Sequence, residues 1–248
     1  GQLPTVLRVL ELMQPNEDVA RCALAAVFEF VQDAASCRQA VAQHGGIKSI
    51  VAVMSAHRQS ISLQTYGCGC LYALSCFRPD NPQKDNNSAA IAHAGGIGRL
   101  LEAMSTFPIC REVQEWGVGA LRHLAVEIGN NRREISDGGE VQLTMRSINK
   151  RMIAKTGGIE LIAKAMQKFP DDVDLQENGC AALCNLTSSR QDNKVRAARA
   201  GCIRAAIGAM KTFPAEPDLT QLACALLRSL AQGVPENKVA IVAQGGVR

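Results

Sequence analysis

Apolar residues recur along this chain at the spacing of one helix face. In the segment GGIELIAKAMQKFP, Ile159, Ile162, Ala163 and Met166 fall on one side of a helix that begins at Gly157. Phe169 closes it, and Pro170, which lacks a backbone N–H, prevents its continuation. After the polar stretch DDVD the pattern resumes and predicts a second helix from Leu175 to about Thr187. A short third helix follows Asn193, read as its N-cap, and ends at Gly201.

The same three-part pattern then returns. A block opening GCIRAAIGAMKTFP starts at Gly201 and another starts GGV at Gly245, each 44 residues after its predecessor. A fixed period of that size predicts stacked helical units, none of which buries its apolar face alone. The second-helix residues Leu175, Leu183 and Leu186 recur as Leu219, Leu227 and Leu230. Earlier they stand as Leu63, Leu71 and Leu74, and as Val113, Leu121 and Leu124. The first copy diverges in sequence but keeps register: 18 residues separate Gly1 from Val19, as they do Gly157 from Leu175. The units are therefore 1–44, 45–94, 95–156, 157–200 and 201–244, with a stub at 245–248. The chain begins and ends at one point of the repeat, so the expectation is a single array cut from a longer protein.

Two units exceed 44 residues. The second carries six extra around Arg78–Asn86, and the third eighteen extra, placed at about 131–148 and read as a loop or an extended helix. Both are rich in turn-forming or polar residues. The basic residues Arg132, Arg133, Arg146, Lys150, Arg151 and Lys155 cluster near the second insertion. Without interleaved aromatics they read as a solvated face rather than a nucleic-acid surface.

Composition narrows the picture. Apolar residues make up 47% of the chain but aromatics only 4%, which fits helices packed closely through Ala, Leu, Cys and Gly. The net charge of +4 is a weak pull toward anionic partners. No apolar run reaches the roughly 18 residues of a membrane span. The ten cysteines include no CxxC pair and no His at ligand spacing. Cys68, Cys180 and Cys224 share one column of the repeat with Val118, which marks a small apolar core position. The reading is free buried thiols in a reducing compartment, the cytoplasm and also the nucleus, with the two glycosylation sequons as chance matches. No nucleophile has a recognisable base partner, so catalysis, cofactor and small-molecule substrate are not expected.

The N-x7-G spacing (Asn87/Gly95, Asn149/Gly157, Asn193/Gly201, Asn237/Gly245) and the following I-x-x-L/I-x-x-A-M resemble the armadillo repeat over essentially the whole chain. That resemblance implies an all-α, right-handed α-solenoid of about five units with three helices each. It also implies a scaffold or adaptor that binds a peptide or helix along a concave groove. Numbering each second helix from Val19, Leu63, Val113, Leu175 and Leu219, positions +3, +6, +10 and +13 lie opposite the core face. The +3 row includes Tyr66, Trp116 and Asn178, and the +10 row His123 and Asn185. The +6 row is all Ala or Gly, a shallow floor over which Tyr66 and Trp116 stand as adjacent aromatics. Candidate partner-binding residues are thus Tyr66, Trp116, Arg122, His123, Asn178, Asn185 and Arg228. In the importin-α branch, the resemblance implies Trp at +6 and Asn at +10; here only Asn185 fits, so a nuclear transport receptor ranks last. The alternative reading is the regulatory armadillo region of a larger enzyme, such as a kinase or ubiquitin ligase. The sequence also resembles the armadillo regions of large scaffolds and leucine-rich-repeat kinases.

Overall fold

A computed structural model describes residues 2–33, 35–76, 84–126, 145–188 and 190–246. They form two compact units, Gly1–His123 and Leu124–Arg248. The first contains α1 (Gln2–Leu12), α2 (Glu17–Asp33), α3 (Ala35–Gln43), α4 (Gly46–Ala56), α5 (Ile61–Ser75), α6 (Lys84–His93), α7 (Gly96–Thr106) and α8 (Arg111–Leu124). The second contains α9 (Met145–Lys155), α10 (Gly158–Lys168), α11 (Val173–Thr187), α12 (Gln191–Arg199), α13 (Cys202–Thr212), α14 (Pro217–Ala231) and α15 (Pro235–Ala243). The protein is all-α. Residues 78–83 and 131–144 of the two predicted insertions lie outside the described residues, while 84–86 begin α6 and 145–148 begin α9.

Each long helix ends by the same device. The backbone N–H of Phe169 donates to Ala165 O, 3.0 Å away, and Phe107 and Phe213 repeat the bond at α7 and α13. One polar side chain then satisfies two carbonyls left over at the helix end. Gln176 of α11 donates through Nε2 to Met166 O at 2.8 Å and to Phe169 O at 2.9 Å. Gln64 makes the same pair of bonds to Met54 O and His57 O, and Gln114 to Met104 O and Phe107 O. All three glutamines are buried. The sequence reading did not single them out, although each directly follows the first core residue of its helix.

The glycines that begin the units turn the chain between short and long helices. Gly45, Gly95, Gly157, Gly201 and Gly245 all sit in the left-handed region, with φ from 77° to 90°. Glycine takes that region without a Cβ penalty, so the turn is built into the repeat.

The asparagine that stands eight residues before the next glycine in four of the units (Asn87, Asn149, Asn193 and Asn237) does not take the capping role read for Asn193. Asn193 is not the N-cap of α12, because Arg190 occupies that position and Asn193 lies inside the helix. Its buried amide donates to Leu186 O at 2.8 Å, tying the short helix to the end of α11. Asn87 donates to Leu74 O and Asn237 to Leu230 O in the same way. A side chain that ties down another helix's free carbonyl does more for stability than one exposed at a cap. Asn149 departs from this pattern: it is fully buried, and neither amide atom has a hydrogen-bond partner among the described residues.

The second helices pack side by side, α2 on α5 in the first unit and α11 on α14 in the second. Small residues permit this. A Cβ on Gly67, Gly117 or Gly179 would come within 2.5–2.7 Å of Cγ of Met54, Met104 or Met166, so each glycine seats the methionine of the long helix before it. Thiols behave as core atoms at several sites: Cys68, Cys70, Cys180 and Cys202 are buried. Cys224 is an exception to the expected core column, because it is exposed on α14, where no described helix covers it.

Candidate functional site

The expected groove face can be built from three positions on each second helix. In the first unit Phe28 of α2 sets the arrangement. Its ring lies between Tyr66, centroid distance 5.8 Å and interplanar angle 55°, and Trp116, at 4.9 Å and 47°. Tyr66 and Trp116 therefore do not stand over an empty floor. A third aromatic, supplied by the preceding repeat at position +9, wedges them apart and covers Gly69. Tilted rings at these separations are favourable pairs. The sequence signal for this was available: Phe28 and Tyr72 share the +9 column, and the next repeat carries Gly69 or Gly119 at +6. A Cβ on Gly119 would come within 2.7 Å of Tyr72 Cε2.

Further along the same face, His123 packs on Tyr72 with centroids 5.7 Å apart, and its Nε2 lies 3.4 Å from Cys76 Sγ. Arg122 is half-buried next to it. Burial raises the Tyr72 hydroxyl above its ordinary range, with the neighbouring Cys76 pushing the same way. These residues form a connected polar and aromatic strip. Between Phe28, Gly69, Tyr72, Ala73, Trp116 and Arg38 lies a cavity of about 170 Å³.

In the second unit the candidates are placed differently. Asn178 is 8% exposed and so is more enclosed than a peptide-contacting residue was expected to be. Asn185 is half-buried and Arg228 exposed. Thr187 Oγ1 and Ser229 Oγ lie 3.0 Å apart and link the ends of α11 and α14. Cys184 takes the +9 position, and burial raises its thiol against the pull of Arg228 and Lys150. A larger hollow of about 630 Å³ is lined chiefly by α10, α12 and α13, including Gln167, Arg199 and Arg204. It lies against first and third helices rather than the row of second helices.

One row was read only in part from the sequence. Arg38, Lys150 and Lys194 each precede a unit-opening glycine by seven residues, and all three are buried. Lys194 donates to Gln232 O at 2.8 Å, just past the end of α14, and Lys150 to Ser188 Oγ at 3.3 Å. Arg38 Nη1 donates to Val31 O at 2.7 Å and Gln32 O at 3.2 Å, at the end of α2. Cations suit these ends because free carbonyls and the helix dipole make them negative. Lys150 is thus not part of a solvated basic face. The side chains of Arg132, Arg133 and Arg146 lie outside the described residues.

Among the described residues no group of three His, Cys, Asp or Glu side chains is placed to hold a metal ion. No helix among them is long and apolar enough to cross a membrane.

No protein-family model matches the chain. It is similar to Protein aardvark of Dictyostelium discoideum, with 37% identity over 144 residues, 58% of this chain and 17% of aardvark. The chain thus spans about a sixth of the length of that curated relative. Among solved structures it is similar to the designed armadillo repeat protein YIII(Dq)4CqI, with TM-score 0.70 and 15% identity over 98% of this chain and 88% of that one. It is also similar to the designed armadillo repeat protein YIII(Dq.V1)4CPAF in complex with peptide (KR)4, with TM-score 0.68 and 13% identity over 99% and 88% of the two chains. At such identities the likeness speaks for the fold. The repeated glycine turns, paired long helices and short third helices, taken with that likeness, give this chain the armadillo-repeat α-solenoid fold.

Proposed function

We propose that this chain is a non-enzymatic protein-interaction module, a scaffold or adaptor that takes an extended peptide or a helix along its row of second helices. The observation that carries the reading is the strip Tyr66, Phe28, Trp116, Tyr72 and His123. Around the buried ring of Phe28 it offers the half-buried Tyr66, Trp116, Tyr72 and His123 as aromatic and hydrogen-bonding surface of α5 and α8. Aromatic side chains in such settings are natural anchors for a partner. Asn185 and Arg228 hold the corresponding repeat positions in the second unit, where an amide and a guanidinium suit a peptide backbone or an acidic side chain. One structural relative was solved with the peptide (KR)4. The present chain, at net charge +4 and with only Ala or Gly in its +6 row, is better suited to a peptide that carries negative charge. The many protonated, buried thiols fit work in a reducing compartment such as the cytoplasm.

The test is affinity capture with the native chain and with a Trp116→Ala/Asn185→Ala variant, followed by direct titration of the captured protein. Circular dichroism first establishes that the two are equally helical. A partner held by the native chain and lost by the variant supports the groove. Equal capture by both removes the groove from consideration.

A further inference from the structure

Cys76 caps the C-terminal end of α5, and its thiol is half-buried rather than sealed in the core. His123 Nε2 lies 3.4 Å from its Sγ, within hydrogen-bond distance for sulfur. The Tyr72 hydroxyl shares a hydrogen bond with the same side chain, and the His123 ring packs on Tyr72. Arg122 and Glu115 of α8 act on that hydroxyl with opposite sign. The thiol also reaches open space. It lines the cavity of about 170 Å³ together with Phe28, Gln32, Arg38, Tyr72 and Trp116.

This pairing belongs to one junction between repeats. Cys76 is the +13 residue of its second helix, and His123 is the +10 residue of the next. Those places fall to Gln32 and Ala73 one junction earlier, and to Ser188 and Ser229 in the second unit, so neither joins a thiol to a base. A thiol is a weak nucleophile until its proton leaves, and an imidazole at hydrogen-bond distance can take that proton. The imidazolium so formed lies by the end of α5, where the helix dipole favours positive charge. Cys68 and Cys70, on the same helix, are fully buried. The cavity beside Cys76 exceeds what one water requires, and three of its walls are aromatic.

We propose that Cys76 is a covalent modification site for an α,β-unsaturated carbonyl compound carried on an apolar group, with His123 as the base. Sγ forms a bond to the β-carbon while the C=C electron pair moves toward the carbonyl oxygen as an enolate. The thiol proton passes to His123 Nε2 and from there to the α-carbon. Addition is complete at that point, and no oxidant or reductant is consumed. The apolar body lies in the cavity against Phe28, Tyr72 and Trp116. The inference stands apart from the groove reading, because it needs no partner protein.

The probe is phenyl vinyl ketone, added below stoichiometry to the 248-residue chain, with adducts counted by peptide mapping. The exposed Cys22 and Cys224 serve as internal standards. At neutral pH Cys76 should react about tenfold faster than either, a modest share of what a positioned base supplies. Its rate should rise through the imidazole range, about pH 6.5, and so at lower pH than the rates of the standards. His123→Asn should slow Cys76 about tenfold and abolish that rise while leaving the standards unchanged. Ala73→Leu narrows the cavity with the pair in place, and should slow phenyl vinyl ketone more than the smaller acrylamide. If His123→Asn does not fold, the native chain decides: a Cys76 rate no greater than that of Cys22, or a pH profile that coincides with it, overturns the proposal. An unchanged Cys76 rate in folded His123→Asn, or in Ala73→Leu with phenyl vinyl ketone, overturns it as well.

Discussion

The ring of Phe28 rests directly on the Cα of Gly69, so that a Cβ there would overlap Cε2 and sit 3.0 Å from Cδ2. Tyr72 bears on Gly119 in the same manner one repeat later. The aromatic and the glycine belong to neighbouring repeats, at +9 and +6 of successive second helices. Where the +9 column carries the smaller Cys184, the next repeat has Ala225 at +6. Size is thus exchanged across the repeat boundary.

That exchange makes glycine a packing requirement at position 69. Gly69→Ala should destabilise the chain by about 1–3 kcal/mol, the usual range for overfilling a packed site. Gly98→Ala, at an exposed helical glycine with nothing within 4 Å of its would-be Cβ, should instead stabilise by about 0.4–1 kcal/mol. Urea unfolding of both variants checks the pair. Equal effects would mean that Phe28 moves aside without cost.

The glutamine row predicts a larger loss. Gln176→Ala leaves Met166 O and Phe169 O without their donor at the end of α10. The expected cost is about 2–4 kcal/mol in urea unfolding, since buried carbonyls retain their desolvation penalty. Gln176→Asn is too short to reach both carbonyls and should recover little. A change below about 1 kcal/mol would show that water replaces the amide.

The thiols predict a pH dependence with a definite sign. Burial pushes Cys68, Cys180 and Cys202 up to about 12 from an ordinary 9.0. Each therefore keeps its proton in the folded chain after the unfolded chain has lost it. Their stabilisation is complete below pH 9 and falls as pH rises through 12, by about 1.4 kcal/mol per pH unit for each thiol. Cys180→Val, which copies Val118 in the same column, should flatten that slope by one thiol's share. Unfolding free energies measured from pH 8 to 10.5 give the comparison; an unchanged slope would count against it. At neutral pH, iodoacetamide should modify the exposed Cys22 and Cys224 while leaving Cys68, Cys180 and Cys202 intact, as peptide mapping would reveal.

An ion pair pins α10 to α12. Arg196 donates to both oxygens of Glu160, each 2.8 Å from Nη2, and Nη1 donates to Ala154 O. Both side chains are more than a third exposed, so screening by water limits the pair. Glu160→Gln should cost about 0.5–1 kcal/mol at low salt and little in 1 M salt, while Arg196→Met should cost more at both because the carbonyl bond is lost too. Thermal unfolding at two salt concentrations separates these contributions.

The sequence by itself determined the repeat, its helices and the turns between them. Spacing of apolar residues sets a helix face, and glycine or proline sets its end, so these features are local and readable. It also assigned Tyr66 and Trp116 to the +3 row and His123 and Asn185 to the +10 row of the second helices. Tertiary structure alone decided what those side chains meet. Asn193 reads as an N-cap because Asn suits caps, yet packing of α12 on the end of α11 turns its amide inward to Leu186 O. Tyr66 and Trp116 read as neighbours over an empty floor, yet Phe28, some 38 residues before the first of them, fills the space between. Cys224 reads as core from its column, yet it is exposed because burial depends on which helix packs over a position, not only on the helix that carries it. Periodicity specifies the face each residue occupies; contacts across repeats specify what that face can bind.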